Sequence, residues 1–157
     1  MCWGNNGDGQ TGLGNDTPSS VSTAVTVPGV SAATRLALSE DTSCALIAGG
    51  TIQCWGSNFD GEVGSGSVNS EELTPQTVLN ISTATAISAD ADSVCALLQE
   101  KTVRCWGEND KGQANNGDRA FLNQRAPQMA QYLQDVTEIG LGEDMRLIQT
   151  LYKIIAN

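Results

Sequence analysis

An all-β fold, and within it a partial β-propeller of about three four-stranded blades, is what the sequence predicts. Three observations carry that reading. The tripeptide Cys-Trp-Gly begins at Cys2, Cys54 and Cys105, at intervals of 52 and 51 residues, and Cys-Ala-Leu at Cys44 and Cys95 repeats at 51, so one unit recurs. Seventeen glycines against two phenylalanines and two tyrosines, with many Thr, Ser, Val and Ala residues, describe short strands joined by turns. Alternating apolar segments occupy the same place in each unit: Val30 to Leu38, Ile81 to Ile87 and Val136 to Leu141.

In chain order, each unit opens on Cys-Trp-Gly and continues with Asn at the fourth position beyond the cysteine (Asn6, Asn58, Asn109). Gly follows at the seventh (Gly9, Gly61, Gly112), Gln or Glu at the eighth (Gln10, Glu62, Gln113) and Gly again at the twelfth (Gly14, Gly66, Gly117). Glycines so regularly placed predict a fixed backbone course with positive φ or close packing. A polar stretch then passes a proline (Pro18, Pro75, Pro127) into the alternating strand. The Cys-Ala-Leu strand comes next, and a tight turn returns the chain to the following Cys-Trp-Gly. Each repeat is expected to supply four short antiparallel strands, the content of one blade. The units are 1–53, incomplete at its N-terminal edge, 54–104 and 105–144, with a divergent tail at 145–157.

The order Cys-Trp-Gly-x-Asn-x-x-Gly-Gln, a proline, an alternating strand, Cys-Ala-Leu and the next Cys-Trp-Gly resembles the repeats of the regulator of chromosome condensation propeller family, in the variant with paired cysteines. The resemblance covers residues 1 to about 144. It implies the propeller fold and a general role in protein binding. The family's complete propeller usually has about seven blades, so this chain is expected to be part of a larger protein and not to close a ring by itself.

Five cysteines and no histidine raise the question of disulfide or metal chemistry. Cys44 and Cys54 are symmetric about Gly49, and Cys95 and Cys105 about Glu100. In hairpins so centred each pair lies directly across the ladder with Cα atoms about 4.5 to 5.5 Å apart, within disulfide reach. Leu46 and Ile52 share a face with the first pair, Leu97 and Val103 with the second. Closing each loop would stabilise the fold by about 2 to 3 kcal/mol. Structural disulfides are the first reading, reduced core cysteines the second, and zinc the last, because the spacing contains neither CxxC nor an imidazole. Disulfides imply an oxidising compartment, extracellular or periplasmic. Cys2 stands without a partner, its counterpart falling ten residues earlier.

The loops Asn6-Gly7-Asp8-Gly9 and Asn58-Phe59-Asp60-Gly61 resemble the start of a calcium loop, but the third copy has Lys111 for the aspartate and no copy has Glu at the twelfth position. Structural turns are the preferred reading, and no metal or cofactor is expected. Trp3, Trp55 and Trp106 recur at one repeat position, which favours packing between blades over a ligand-stacking set. No acidic pair has a predictable geometry, so the carboxylates are read as a solvated surface and no catalytic residue is nominated.

The third repeat departs from the pattern. Leu147 stands where Cys-Ala-Leu should begin and Asn157 where the next Cys-Trp-Gly should. Apolar residues at 148, 151 and 155 have helical spacing, so a helical tail is one expectation and a diverged strand pair another. The net charge of -10, with no Lys or Arg before Arg35, argues against nucleic acid and anionic membrane surfaces as partners. No apolar run approaches the ~20 residues of a membrane span, and Met1-Cys2-Trp3-Gly4 lacks the order of a signal peptide. The functional expectation is a non-catalytic protein-interaction module with an unidentified protein partner and self-association through open blade ends. Nucleotide exchange on a small GTPase, implied by the resemblance, is the alternative.

Overall fold

The computed structural model describes residues 1–117, 123–142 and the backbone of 145–150. Among the described residues twelve strands follow one another: β1 (Cys2–Asn5), β2 (Ser20–Val25), β3 (Ala33–Leu38), β4 (Thr42–Ile47), β5 (Ile52–Ser57), β6 (Glu71–Thr77), β7 (Ala84–Asp90), β8 (Ser93–Leu98), β9 (Val103–Gly107), β10 (Gln124–Met129), β11 (Val136–Gly142) and β12 (Met145–Thr150). They form two complete four-stranded antiparallel sheets, β3-β4-β5-β6 and β7-β8-β9-β10, and two two-stranded sheets, β1-β2 and β11-β12. The first strands of successive sheets touch in series, β3 against β7 and β7 against β11, as the inner strands of propeller blades do. The molecule is an all-β partial propeller.

The sheets are offset from the sequence repeat. A unit running from one Cys-Trp-Gly to the next places its first two strands at the end of one sheet and its last two at the start of the following sheet. Four strands per repeat therefore do not make one blade each: residues 33–77 and 84–129 enclose the complete sheets. The physical reason is that β4 and β5 are joined by a tight hairpin, Gly50 N donating to Ile47 O at 3.0 Å, so Cys-Ala-Leu must pair with the Cys-Trp-Gly that follows it.

Burial follows the order within a sheet. The central strands β4 and β8 are buried almost throughout, whereas β6 and β10 sit at the edge. Pro75 and Pro127 lie within those edge strands, where a missing N–H breaks no ladder bond. Alternation splits each sheet into two faces. Cys44, Leu46, Ile52 and Cys54 join Ile87, Val94, Ala96 and Leu98 in the core between the complete sheets. Cys95, Leu97, Val103 and Cys105 do the same toward Val136, Ile139 and Leu141 of β11. Ala45 and Trp55, on the opposite face, pack with Val27 and Cys2.

The expected helical tail is corrected in part. Met145–Thr150 is a strand, paired antiparallel with β11 through Ile139↔Ile148, Gly140↔Leu147 and Leu141↔Arg146. The exposed ladder of β11 offers more hydrogen bonds than an isolated helical turn can make for itself, and pairing overrides the local spacing. The strand occupies the Cys-Ala-Leu place of the repeat without its cysteine. The remaining residues of that expectation, 151–157, lie outside the described residues.

Candidate functional site

The repeat's polar residues brace the loop that follows each Cys-Trp-Gly. Asn6, Asn58 and Asn109 are fully buried. Each carboxamide oxygen accepts from the N–H five residues on: Thr11 at 3.2 Å, Val63 at 3.1 Å and Ala114 at 2.9 Å. The Nδ2 of Asn6 donates to Asn15 O at 3.1 Å and Pro18 O at 3.2 Å, and that of Asn58 to Asn69 O at 2.9 Å. Only a side chain with both a donor and an acceptor can close the loop in this way. The calcium-like loops are turns of the same design. The N–H of Asp8, Asp60 or Lys111 donates to the side-chain oxygen of Gln10, Glu62 or Gln113 at 3.0, 2.8 and 2.8 Å. Among the described residues no cluster of carboxylates or thiols has metal-binding geometry.

The loop also makes the joint to the next sheet. Trp55 Nε1 donates to Gln10 O at 2.8 Å, and Trp106 Nε1 to Glu62 O at 2.7 Å. The indoles rest on Gly12 and Gly64, where a Cβ would stand 2.8 and 2.7 Å from the ring nitrogen. Gly9 and Gly61 press on the next sheet's edge strand, their missing Cβ atoms 2.5 Å from Leu73 and Arg125, while Gly14 N and Gly66 N donate to the carbonyls of those same residues at 2.9 and 2.8 Å. Gly112, the third of the set, has φ +79. The sequence marked Trp and the seventh glycine. It did not single out Gly12 and Gly64, although a third-repeat Asn115 at the equivalent place, with φ +47, hints that only the backbone course is common to all three.

Cys44–Cys54 and Cys95–Cys105 are bonded, each pair directly opposed across its hairpin with Cα atoms 4.1 Å apart. Cys2 is free and half-buried, its Sγ 3.7 Å from Gln10 O. The structure thus brings four of the cysteines together in pairs and uses the asparagines, glycines and two tryptophans at joints.

Trp3 is different. It is 64% exposed, against 4% for Trp55 and 1% for Trp106. Gly4 likewise faces open space, whereas Cβ atoms at Gly56 and Gly107 would meet Asp41 O and Asp92 O at 2.3 and 2.2 Å. Leu36 and Leu38 of β3 also lie bare, although their counterparts Ile87 and Ala89 of β7 are packed against the preceding sheet. An apolar cavity of about 570 Å³ opens there, bordered by Met1, Cys2, Val27, Val30, Leu36 and Trp55. This is an exposed sheet face.

Acidic side chains gather at one end of the joints. Glu62 is buried, accepts from Ser57 Oγ at 3.2 Å, and has its pKa raised by burial and by the nearby Asp60 and Asp92 carboxylates. Asp92 is raised by burial and by Asp60, Asp41 and Glu40. Glu108 is raised by burial, Asp110, Asp92 and Asp60. Asp110, exposed and paired with Lys111, is lowered by that hydrogen bond.

Comparison with known proteins agrees with this architecture. The family model for the regulator of chromosome condensation (RCC1) repeat matches residues 84–113. Among solved structures, Prp20p from Saccharomyces cerevisiae, crystallised in a study of its binding to Gsp1p and histones, is 19% identical with a TM-score of 0.76 over 88% of this chain and 36% of its own. Yeast RCC1 (Prp20) bound to Kap60 is 20% identical with a TM-score of 0.77, covering 89% of this chain and 35% of that one. Human WBSCR16 is 17% identical with a TM-score of 0.76, covering 89% of this chain and 37% of that one. The chain spans about a third of the length of each of these structures.

Proposed function

From a chain of RCC1-like repeats folded as part of a propeller, we propose a non-catalytic protein-interaction module belonging to a larger extracellular or periplasmic protein. The fold supports protein interaction in general terms. What supports the reading is that the asparagines, glycines, Trp55 and Trp106 are engaged in holding sheets together, as in a scaffold that presents its loops to a partner. In this proposal the units 1–53, 54–104 and 105–144, with the tail 145–157, are the evolutionary repeats. The partner is a protein met by the loops, and the isolated chain self-associates through its open blade ends.

Two measurements test the proposal. Non-reducing peptide mapping of protein from an oxidising host should find Cys44–Cys54 and Cys95–Cys105 linked and Cys2 free; scrambled or absent links would remove the support for an extracellular setting. Sedimentation should show concentration-dependent association that the double change Leu36→Ser and Leu38→Ser abolishes, and a strictly monomeric wild type would refute the open-face role. The second reading, nucleotide exchange on a small GTPase, rests on the resemblance of the repeats. Accelerated nucleotide release from such a protein would put it first.

A further inference from the structure

The three loops share their asparagine, the glycine three residues on and the side-chain oxygen that accepts from the sixth-position N–H, but at the eighth position the first and third carry Gln and the second carries Glu. In the first loop Gln10 Oε1 accepts from Asp8 N, and its Nε2 donates to Asp41 Oδ1 at 2.8 Å and Asp8 Oδ2 at 3.3 Å. In the third, Gln113 Nε2 donates to Glu108 Oε2 at 3.0 Å and Asp110 Oδ1 at 3.2 Å. The amide is thus a donor held among carboxylates. Glu62 accepts from Asp60 N at 2.8 Å just as Gln10 accepts from Asp8 N, so its second oxygen occupies the place of the amide nitrogen. The acidic neighbours are preserved: Asp60 replaces Asp8, and Asp92, in the β7–β8 turn, replaces Asp41 of the β3–β4 turn. A donor has been exchanged for an oxygen while the acceptors around it stayed.

We propose that Glu62 is a proton-operated latch on the joint between the two complete sheets. Protonated, its carboxyl reproduces the Gln amide, donating its hydrogen among Asp92, Asp60 and Ser57. Ionised, it sets three carboxylates around a buried site and loosens the loop whose carbonyl holds Trp106. The proton passes to and from water, and no other reactant is involved.

Every packed element contributes to this balance. Asp60 comes from the loop itself and Asp92 from the β7–β8 turn, with Glu40 and Asp41 of the β3–β4 turn acting on Asp92. Glu108 and Asp110 follow β9, and Lys111 is paired with Asp110. Arg125 of β10 directs its guanidinium to the carbonyls of Asn58, Phe59 and Ser67 and not to Glu62. No cation neutralises the carboxyl directly among the described residues, and the raised pKa of Glu62 agrees with that arrangement. A carboxyl that binds its proton more tightly folded than unfolded adds stability below the unfolded pKa, and the contribution fades as pH rises through the folded one.

The test compares wild type with Glu62→Gln in the oxidised full chain from pH 4 to pH 8. The two melting temperatures should coincide at pH 4, and the variant should lead by about 3 °C at pH 8. The indole N–H resonance of Trp106 should titrate in wild type and stay fixed in the variant, with that of Trp55 unmoved in both. Gln10→Glu should import the behaviour to the first joint, so that Trp55 titrates and stability falls with rising pH. A constant melting difference at all pH values, an unresponsive Trp106 in wild type, or failure of Glu62→Gln to fold would each overturn the latch, since Gln serves at this position in both sister loops.

Discussion

Trp3 and Trp106 occupy the same place in the same motif, yet one is 64% exposed and the other 1%. Trp106 meets a carbonyl at Glu62, a bare glycine at Gly64 and the core between two sheets; Trp3 meets none of these. The contrast extends to Gly4 against Gly107 and to Leu36 against Ile87. The lesson concerns where a repeat's motif acts. Cys-Trp-Gly does not complete its own repeat but fits into the loop of the preceding one, so a motif residue is a core residue only when a loop of the right shape stands before it.

The contrast is sharpest at the glycines. Gly107→Ala would drive a Cβ into the Asp92 carbonyl as well as strain a positive φ, and should destabilise by more than about 4 kcal/mol in urea denaturation, while Gly4→Ala meets only the φ penalty of about 1 kcal/mol. Equal effects would show that the clash does not govern. Next comes Trp106→Ala, expected to remove about 3 to 5 kcal/mol by the same measurement, because it empties a buried site and orphans the Glu62 carbonyl.

Asn58→Ala should follow at about 2 to 3 kcal/mol, having lost a buried amide that bonds Val63 N and Asn69 O. Asn58→Asp should be no milder, since it discards the donor and buries a charge. Replacing Cys95 and Cys105 together by alanine should lower stability by about 2 to 3 kcal/mol, read from the denaturation midpoint under oxidising conditions, and should remove the sensitivity of that hairpin to reductant. Smallest is Trp3→Ala, within about 0.5 kcal/mol, paired with a fall in self-association by sedimentation. A large loss of monomer stability there would mean that Trp3 is held by contacts other than those of a joint.

Much of the arrangement is legible in the sequence. The spacing of ten residues between Cys44 and Cys54, with Leu46 and Ile52 in phase, requires a hairpin with opposed thiols, and the ladder pairs them so. Buried Asn and positive-φ Gly were visible as positions but not as partners. An asparagine at the fourth place could serve a turn, a ligand or a cap, and the choice depends on which N–H and carbonyl the loop returns to it. The acids read as a solvated surface included Glu62, which is buried; the signal that sets it apart from Glu71 and Glu72 is its place at the eighth position of the repeat, where the other units carry Gln10 and Gln113.

Period and alternation, properties of the one-dimensional chain, determined the all-β class, the repeat, the hairpins and the cysteine pairs, because strands and hairpins depend on neighbours within about a dozen residues and the repeat shows as identity at a fixed interval. The half-repeat offset of the sheets, the seating of Trp55 and Trp106 some 45 and 44 residues from their acceptors, and the pairing of Met145–Thr150 with β11 arose only in three dimensions. These features depend on which surfaces meet across sheets. A hydrogen bond or a bare glycine at such a joint takes its meaning from a partner that the local pattern does not specify.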